Sequence, residues 1–371
     1  MVQNYEPNRF GARPMVEWWK VRREFGRLGT QIVELRPFLM GPINRIYYDR
    51  MRRAEIVCTE GKQPGSSDLA VILIYQPEGL LKSTRSQLDH LLAHGVTPIV
   101  VSNADIGVED RAFLEKKSLF ILERPNFGYD FGGYRDAVLE LLSRNLKFDN
   151  LFLLNDSIWF PIRENCTLLD TARRAPADVF GIFYSKKSKK KSHWHLHSYF
   201  YRFKSRLVQD AAFARYWKTM PLYEGSKRIV IRQFETKLTA YFVKNGFQAG
   251  GLYDAADVRR ATHGLDDEQT LRAVDYYMAN DHLTRSILRP VAESKEHAAD
   301  WRAKVDDLIE HSKFGNHFLN AHPWVFLENL RSPILKKNRD AKFVGQRAEI
   351  IDLDLDKTLL PAVREEVRAW D

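Results

Sequence analysis

Leu69-Ala-Val-Ile-Leu-Ile-Tyr75 is an unbroken apolar run of strand length, β-branched at Val71, Ile72 and Ile74. A run apolar at every position reads as a strand buried on both faces, the pattern of a parallel sheet covered by helices. The flanking sequence repeats the motif. Leu81–Ala93 places Leu81, Leu88, Leu91 and Leu92 on one helical face, Pro98–Ser102 reads as a second strand, and Leu119–Glu123 as a third. A helix is expected over Tyr134–Asn145 and a fourth strand over Leu151–Asn155. Strands alternating with amphipathic helices imply βαβ units, hence an α/β fold with a Rossmann-type, mainly parallel sheet. Ligands meet such sheets at the carboxyl ends of the strands, so the residues after each strand are the first candidates for chemistry.

Farther along, Asp178–Tyr184 and His195–Phe203 have strand character, and helices are expected near Leu207–Lys218, Ile229–Lys244 and Leu319–Leu330. Three regions follow. Residues 1–66 form a basic extension of short helical pieces around Trp18, Trp19 and Arg22, closed by the turn-rich Gln63-Pro-Gly-Ser-Ser67. Residues 67–255 form the sheet-bearing core, and residues 256–371 a mainly helical C-terminal region.

Composition narrows the partners. Within 371 residues, 44% are hydrophobic, enough for a sizeable core, and no apolar run approaches the ~20 residues of a membrane span. The N-terminal residues lack the apolar segment of a secretory signal and only Cys58 and Cys166 are present, so a cytoplasmic protein is expected. Net charge is +9, with 12 Lys/Arg against 7 Asp/Glu in residues 1–66, and five lysines within Lys186–Lys191. Such charge suits a pyrophosphate ligand or an anionic membrane surface, peripherally bound. Nucleic acid is not expected, because no recognisable nucleic-acid module accompanies the charge.

The residues after the strands are Tyr75-Gln76-Pro77, Ser102-Asn103-Ala104-Asp105, Arg124-Pro-Asn-Phe-Gly-Tyr-Asp-Phe-Gly-Gly-Tyr-Arg135 and Asn155-Asp156-Ser157. The third carries three glycines and opens a helix, an arrangement that admits a ligand close to backbone and aims helix N–H groups at an anion. In the fourth, Asp156 is presented where a metal or a pyrophosphate meets the sheet edge.

Asn126-Phe-Gly-Tyr-Asp-Phe-Gly-Gly-Tyr-Arg135 and Leu153-Leu-Asn-Asp-Ser157 resemble the rhamnan synthesis protein F family, and the likeness extends through His195–Phe200 and Phe234–Leu238. The resemblance implies a GT-A-like glycosyltransferase, in particular a rhamnosyltransferase of polysaccharide synthesis such as lipopolysaccharide O-antigen. Its donor would be dTDP-rhamnose or GDP-rhamnose, its acceptor a lipid-linked glycan, and its mechanism inverting. It places Asn103 and Asp105 at the base and ribose, and Asn126, Gly128, Asp130 and Arg135 along the donor sugar and diphosphate, with Tyr75 and Asn155 as further donor-binding residues. Asp156 falls where GT-A enzymes bind a metal, Mg or Mn, but Asn155-Asp156-Ser157 supplies one carboxylate instead of two. Arg135 or a lysine neutralising the diphosphate is the alternative to the metal. Glu235 takes the place of the base facing the acceptor hydroxyl, and His195 and His197 are candidate acceptor contacts. A non-catalytic, glycan-binding scaffold of the same fold is the competing expectation.

Other motifs weigh less. His193, His195 and His197 alternate as zinc ligands on one strand face would, without a completing carboxylate or cysteine. Asp130-Phe-Gly132 lacks the rest of a kinase signature. Ile350-Ile-Asp-Leu-Asp-Leu-Asp-Lys-Thr358 imitates a phosphatase nucleophile motif, with too little chain after it to build the domain.

Overall fold

The computed structural model describes residues 38–370 apart from 187–189, 226, 281–284, 286–287, 289–300 and 312–317. The expected helices around Trp18, Trp19 and Arg22 and the middle of the lysine run lie outside the described residues.

The strands are β1 (Val57–Glu60), β2 (Asp68–Ile74), β3 (Val96–Ser102), β4 (Phe120–Glu123), β5 (Asn150–Asn155), β6 (Ile158–Trp159), β7 (Val179–Ser185), β8 (His195–Leu196), β9 (Phe200–Lys204), β10 (Ala249–Tyr253) and β11 (Leu335–Lys336). The main sheet runs β1-β4-β3-β2-β5-β9-β7-β10, with β8 paired to β7. β4, β3, β2 and β5 are mutually parallel, as are β7 and β10. β1 is antiparallel at one edge, and β9 runs antiparallel between β5 and β7.

The apolar run behaves as its composition dictates. Ala70, Ile72 and Ile74 of β2 enter the core on one face of the sheet, and Leu69, Val71 and Leu73 the core on the other. The first face is covered by α1 (Lys82–Ala93), through Leu88 and Leu91, and by the C-terminal helices. Against the second face pack α2 (Tyr129–Ser143), α3 (Ala211–Thr219) and α4 (Thr236–Lys244), through Phe131, Trp217 and Phe242. Full burial of each such side chain is worth about 1.5–3 kcal/mol, so the two layers dominate stability.

Two expectations about organisation change. Residues 57–60 join the sheet as β1, and Tyr48 is fully buried, so the core begins before residue 67. The C-terminal region is not separate either: Val258, Val274, Phe326, Ile350 and Val363 share one core with Phe152 and Phe200. Its strand β11 pairs with β6, and Lys82 and Ser83 of α1 bond Glu365 and Glu366.

Boundaries also shift for physical reasons. Helix α2 starts at Tyr129, before the glycines, because they serve packing: a Cβ on Gly132 would lie 2.1 Å from the Phe127 carbonyl, and one on Gly133 2.3 Å from Leu73. Gly128 and Tyr129 turn the chain into the helix at φ 78 and 53. The strand expected over His195–Phe203 splits into β8 and β9, with a turn at His197–Tyr199. The phosphatase-like motif lies on a helix and a short 3-10 turn, where Asp356 is buried against Arg368.

Candidate functional site

The carboxyl ends of β2, β3 and β4 open onto a cleft of about 640 Å³ lined by Tyr75, Asn103, Asp105, Asn126, Arg111 and Arg124 among others. Four of the expected donor residues therefore meet in one place. Tyr75, Asp105 and Asn126 are exposed, with the Tyr75 ring open to the cleft at the end of β2. Asn103 is held: its N–H donates to the Ile74 carbonyl at 3.0 Å and its Oδ1 accepts from Arg124 Nη1 at 2.7 Å. Arg124 also donates to Asp136 at 2.6 Å, to Tyr48 Oη at 3.0 Å and to the Phe127 carbonyl at 2.7 Å. Arg111 pairs with Glu123. The cleft wall is thus braced by the buried Arg124–Asp136 pair and the partly buried Arg111–Glu123 pair, and Tyr75, Asn126 and Asp105 offer it an aromatic ring, an amide and a carboxylate.

Tyr75 joins this cleft to a second, more enclosed cluster. Its N–H donates to Asp156 Oδ2 at 2.7 Å, and Gln76 Nε2 reaches the same oxygen at 3.3 Å. Asp156 is aimed there because its own N–H donates to Leu73 O at 3.0 Å, extending the pairing of β2 and β5. Burial raises the Asp156 pKa, partly countered by the Tyr75 N–H and by Lys337, Gln76 and Lys336. Next to it, Asn155 Nδ2 donates to Asp130 Oδ2 at 2.9 Å. One turn along α2 from Asp130, Tyr134 donates its hydroxyl to Ser198 O at 3.0 Å. Its phenol pKa is driven well up by burial and then by the charges of Asp130, Asp156 and Glu235.

Glu235 comes from the π-helical turn that leads into α4. Its Oε2 accepts from the Ser198 N–H at 2.9 Å and from the Ser198 hydroxyl at 2.5 Å, and His197 Nδ1 stands 3.5 Å from Oε1. Burial works against ionisation, yet His197 and both Ser198 donors outweigh it and hold the carboxyl at about 2. Glu235, the expected base, is therefore an ionised carboxylate held between Ser198 and His197. His197 stacks on Tyr199 at 5.7 Å, and His195 lies with its ring 5.6 Å away. The Tyr199 hydroxyl is buried without a hydrogen-bond partner, a donor left over in a polar site. Because β9 is antiparallel, the turn before it sits at the carboxyl edge of its parallel neighbours, which brings residues 197–199 to Asp156.

Sequence reasoning missed Lys336 of β11 and Lys337 just after it. Lys336 Nζ donates to Ser157 Oγ at 2.6 Å and lies 5.2 Å from the Tyr199 ring centre. Lys337, almost fully buried, donates to Ser83 Oγ at 3.1 Å, and burial lowers its pKa against the opposing charges of Glu366 and Asp156. No local signal marks them, since they reach the site only through the pairing of β11 with β6, in which Lys336 stands opposite Ile158, 178 residues away in sequence.

Other expected residues sit elsewhere. Arg135 is fully buried, forked onto Asp49 at 2.7 and 2.8 Å with Nε on the Trp217 carbonyl, so it faces neither cleft nor cluster. The Gly128 N–H is taken by Glu224 at 2.5 Å, so the anion at that turn is the protein's own. His193 lies in a 3-10 turn, off the strand that carries His195. Among the described residues no group of three or more His, Cys, Asp or Glu is placed to hold a metal ion. Asp156 Oδ2 takes two N–H donors and stands beside two lysines, a setting that does not fit a resident divalent cation.

Comparison with known proteins agrees with the sequence motifs. The family model described as rhamnan synthesis protein F matches residues 98–283, half of the chain. An uncharacterised protein, y4gN of Sinorhizobium fredii, is 41% identical over 97% of this chain and 94% of its own length. Virulence protein VirA of Vibrio anguillarum is 27% identical over 36% of this chain, which spans 41% of it. Among solved structures, the inositol-1-phosphate CTP transferase of T. maritima aligns at 12% identity over 50% of this chain and 85% of that one, with a TM-score of 0.28. The mannosyltransferase Ktr4p of S. cerevisiae aligns at 8% identity over 49% and 70%, with a TM-score of 0.24. The chain belongs to the rhamnan synthesis protein F family, and that membership supports a glycosyltransferase role in polysaccharide synthesis.

Proposed function

We propose that the chain is a glycosyltransferase that moves rhamnose from dTDP-rhamnose or GDP-rhamnose onto a lipid-linked, growing surface polysaccharide at the inner face of the cytoplasmic membrane, with inversion at the anomeric carbon. The observation that carries this is Tyr75, whose side chain lines the open cleft while its N–H holds Asp156 in the buried polar cluster beside it. The base and ribose lie in the cleft, against Tyr75, Asn103, Asp105 and Asn126. The diphosphate reaches toward Lys336, whose ammonium lies beside Ser157 and offsets the charge that develops on the leaving group.

The acceptor hydroxyl enters near His197. Its oxygen attacks the anomeric carbon, the bond to the diphosphate oxygen breaks, and its proton passes to His197 Nε2. Glu235, ionised at any physiological pH, faces Nδ1 and stabilises the imidazolium that forms, so it acts as a positioning residue. The buried Tyr199 hydroxyl and Asp156 supply a donor and an acceptor for sugar hydroxyls.

The test is calorimetric titration of the purified protein with dTDP-rhamnose, GDP-rhamnose and UDP-glucose. Saturable binding of a rhamnose donor, weakened at least about tenfold by Asp156→Ala in a variant that melts cooperatively, is expected. A folded wild type that binds none of the three, with or without a lipid-linked acceptor, rejects the transferase and leaves the non-catalytic scaffold.

A further inference from the structure

Residues 38–47 are helical and continue through a π turn at Tyr48–Arg52. On a typical surface helix the polar face meets water. Here the arrangement is reversed. The exposed positions are Phe38, Leu39, Met40, Pro42, Ile43, Ile46, Tyr47, Arg50 and Met51, so the outward face holds eight non-polar or aromatic residues, one arginine and no acid. Leu39, Ile43 and Met51 are 60%, 55% and 63% exposed. A contiguous apolar surface of this kind marks an interaction site.

This orientation is locked from the other side. Gly41 lies so close to Tyr223 that a Cβ would sit 2.3 Å from its ring, and its carbonyl accepts from the Leu222 N–H at 3.0 Å. Tyr48 is fully buried and donates to Asp136 at 2.6 Å. Asp49 takes both arms of the buried Arg135. The polar side of the helix is committed to the core, and the apolar side cannot rotate inward without breaking a buried ion pair.

The geometry points to this helix as a docking element for an anionic phospholipid surface. An apolar stripe on one face with basic residues beside it is the design of helices that lie in the headgroup region. Arg50 is on the outward face, Arg45 and Arg53 are half-exposed at its margin, and the whole chain carries +9. A second copy of the chain is a poorer occupant, because a two-fold contact on this face sets Arg50 near its own mate with no acid between them. The element also has a place in the molecule: Arg52, Glu55 and Val57, which follow it, line the cleft that opens at Tyr75. Docking here brings the cleft mouth next to the bilayer. The proposal does not depend on what the cleft binds.

The experiment is flotation of the full-length protein with vesicles of phosphatidylcholine alone or mixed about three to one with phosphatidylglycerol. Wild type is expected to float with the anionic vesicles and to be released by high salt. The triple variant Leu39→Gln, Ile43→Gln, Met51→Gln is expected to bind at least about tenfold more weakly. Arg50→Gln, which leaves the apolar stripe intact, is expected to bind about fivefold more weakly. Equal melting temperatures establish that the variants are folded. No binding of wild type to anionic vesicles overturns the proposal, as does a triple variant that binds like wild type. A triple variant that turns a dimer into a monomer in sedimentation, with vesicle binding unchanged, assigns the face to a second copy and overturns it as well.

Discussion

The cleft at Tyr75, Asn103, Asp105 and Asn126 and the buried polar cluster around Asp156 and Glu235 adjoin each other, yet they are built on opposite plans. The cleft is shallow, its rim residues are exposed, and its cations Arg111 and Arg124 are neutralised by Glu123 and Asp136. The cluster is buried, and its acids are tied to fixed donors. Asn155 holds Asp130, Ser198 holds Glu235, and the Tyr75 N–H holds Asp156. A cleft that recognises a ligand needs groups still open to it, whereas a cluster that manages charge needs donors fixed before the charge arrives. Even the two acids differ, since burial wins at Asp156 and raises its pKa, while donors win at Glu235 and lower it.

That contrast can be broken by experiment, and the largest effect is expected in the cluster. His197→Ala should lower kcat by about 10²–10³-fold with donor binding nearly unchanged. A comparable loss in donor affinity would move His197 into the binding surface and dissolve the distinction.

Next in size is the acid sensitivity of the fold. Glu235 has a folded pKa of about 2 against 4.5 for the free side chain. A depressed carboxyl contributes stability that is complete above the unfolded value and drains away as pH falls from there toward about 2. Its share is about 3 kcal/mol. Glu235→Gln should therefore be less stable than wild type at pH 7 and converge with it at low pH in urea titrations. Parallel pH profiles for the two proteins would mean that Ser198 and His197 do not stabilise the ionised form. The raised pKa of Asp156 has the opposite sign, so protonation there favours folding as pH falls.

The smallest effect belongs to the cleft. Tyr75→Ala should weaken donor binding by about tenfold, the contribution of one base–aromatic stack, and leave kcat within about threefold. A collapse of kcat instead would show that the side chain, and not only the N–H, supports Asp156.

Much of the fold was legible because its signals are local. The run Leu69–Tyr75 and the strands at Pro98, Leu119 and Leu151 announced a parallel sheet, and its topology then located Tyr75, Asn103, Asp105, Asn126 and Asp156. The glycines of Gly128–Gly133 were legible as special without disclosing their purpose, which is close packing on Leu73 and on the chain's own turn. Arg135 misled because a motif position says nothing about the direction of a side chain, and burial behind α2 turned it onto Asp49.

The amino-acid order by itself determined which segments become strands, which face of each helix is apolar, and that an acid follows β5, because hydrophobic periodicity acts over a few residues at a time. Tertiary structure alone decided the rest. Glu235 becomes a fixed charge only where Ser198 and His197 meet it, and Lys336 enters the site only when β11 pairs with β6. Helix 38–47 turns its apolar face outward only because Tyr48 and Asp49 are drawn into the core. The strength of a charge or hydrogen bond depends on what surrounds it, and distant segments supply those surroundings only once the chain has folded.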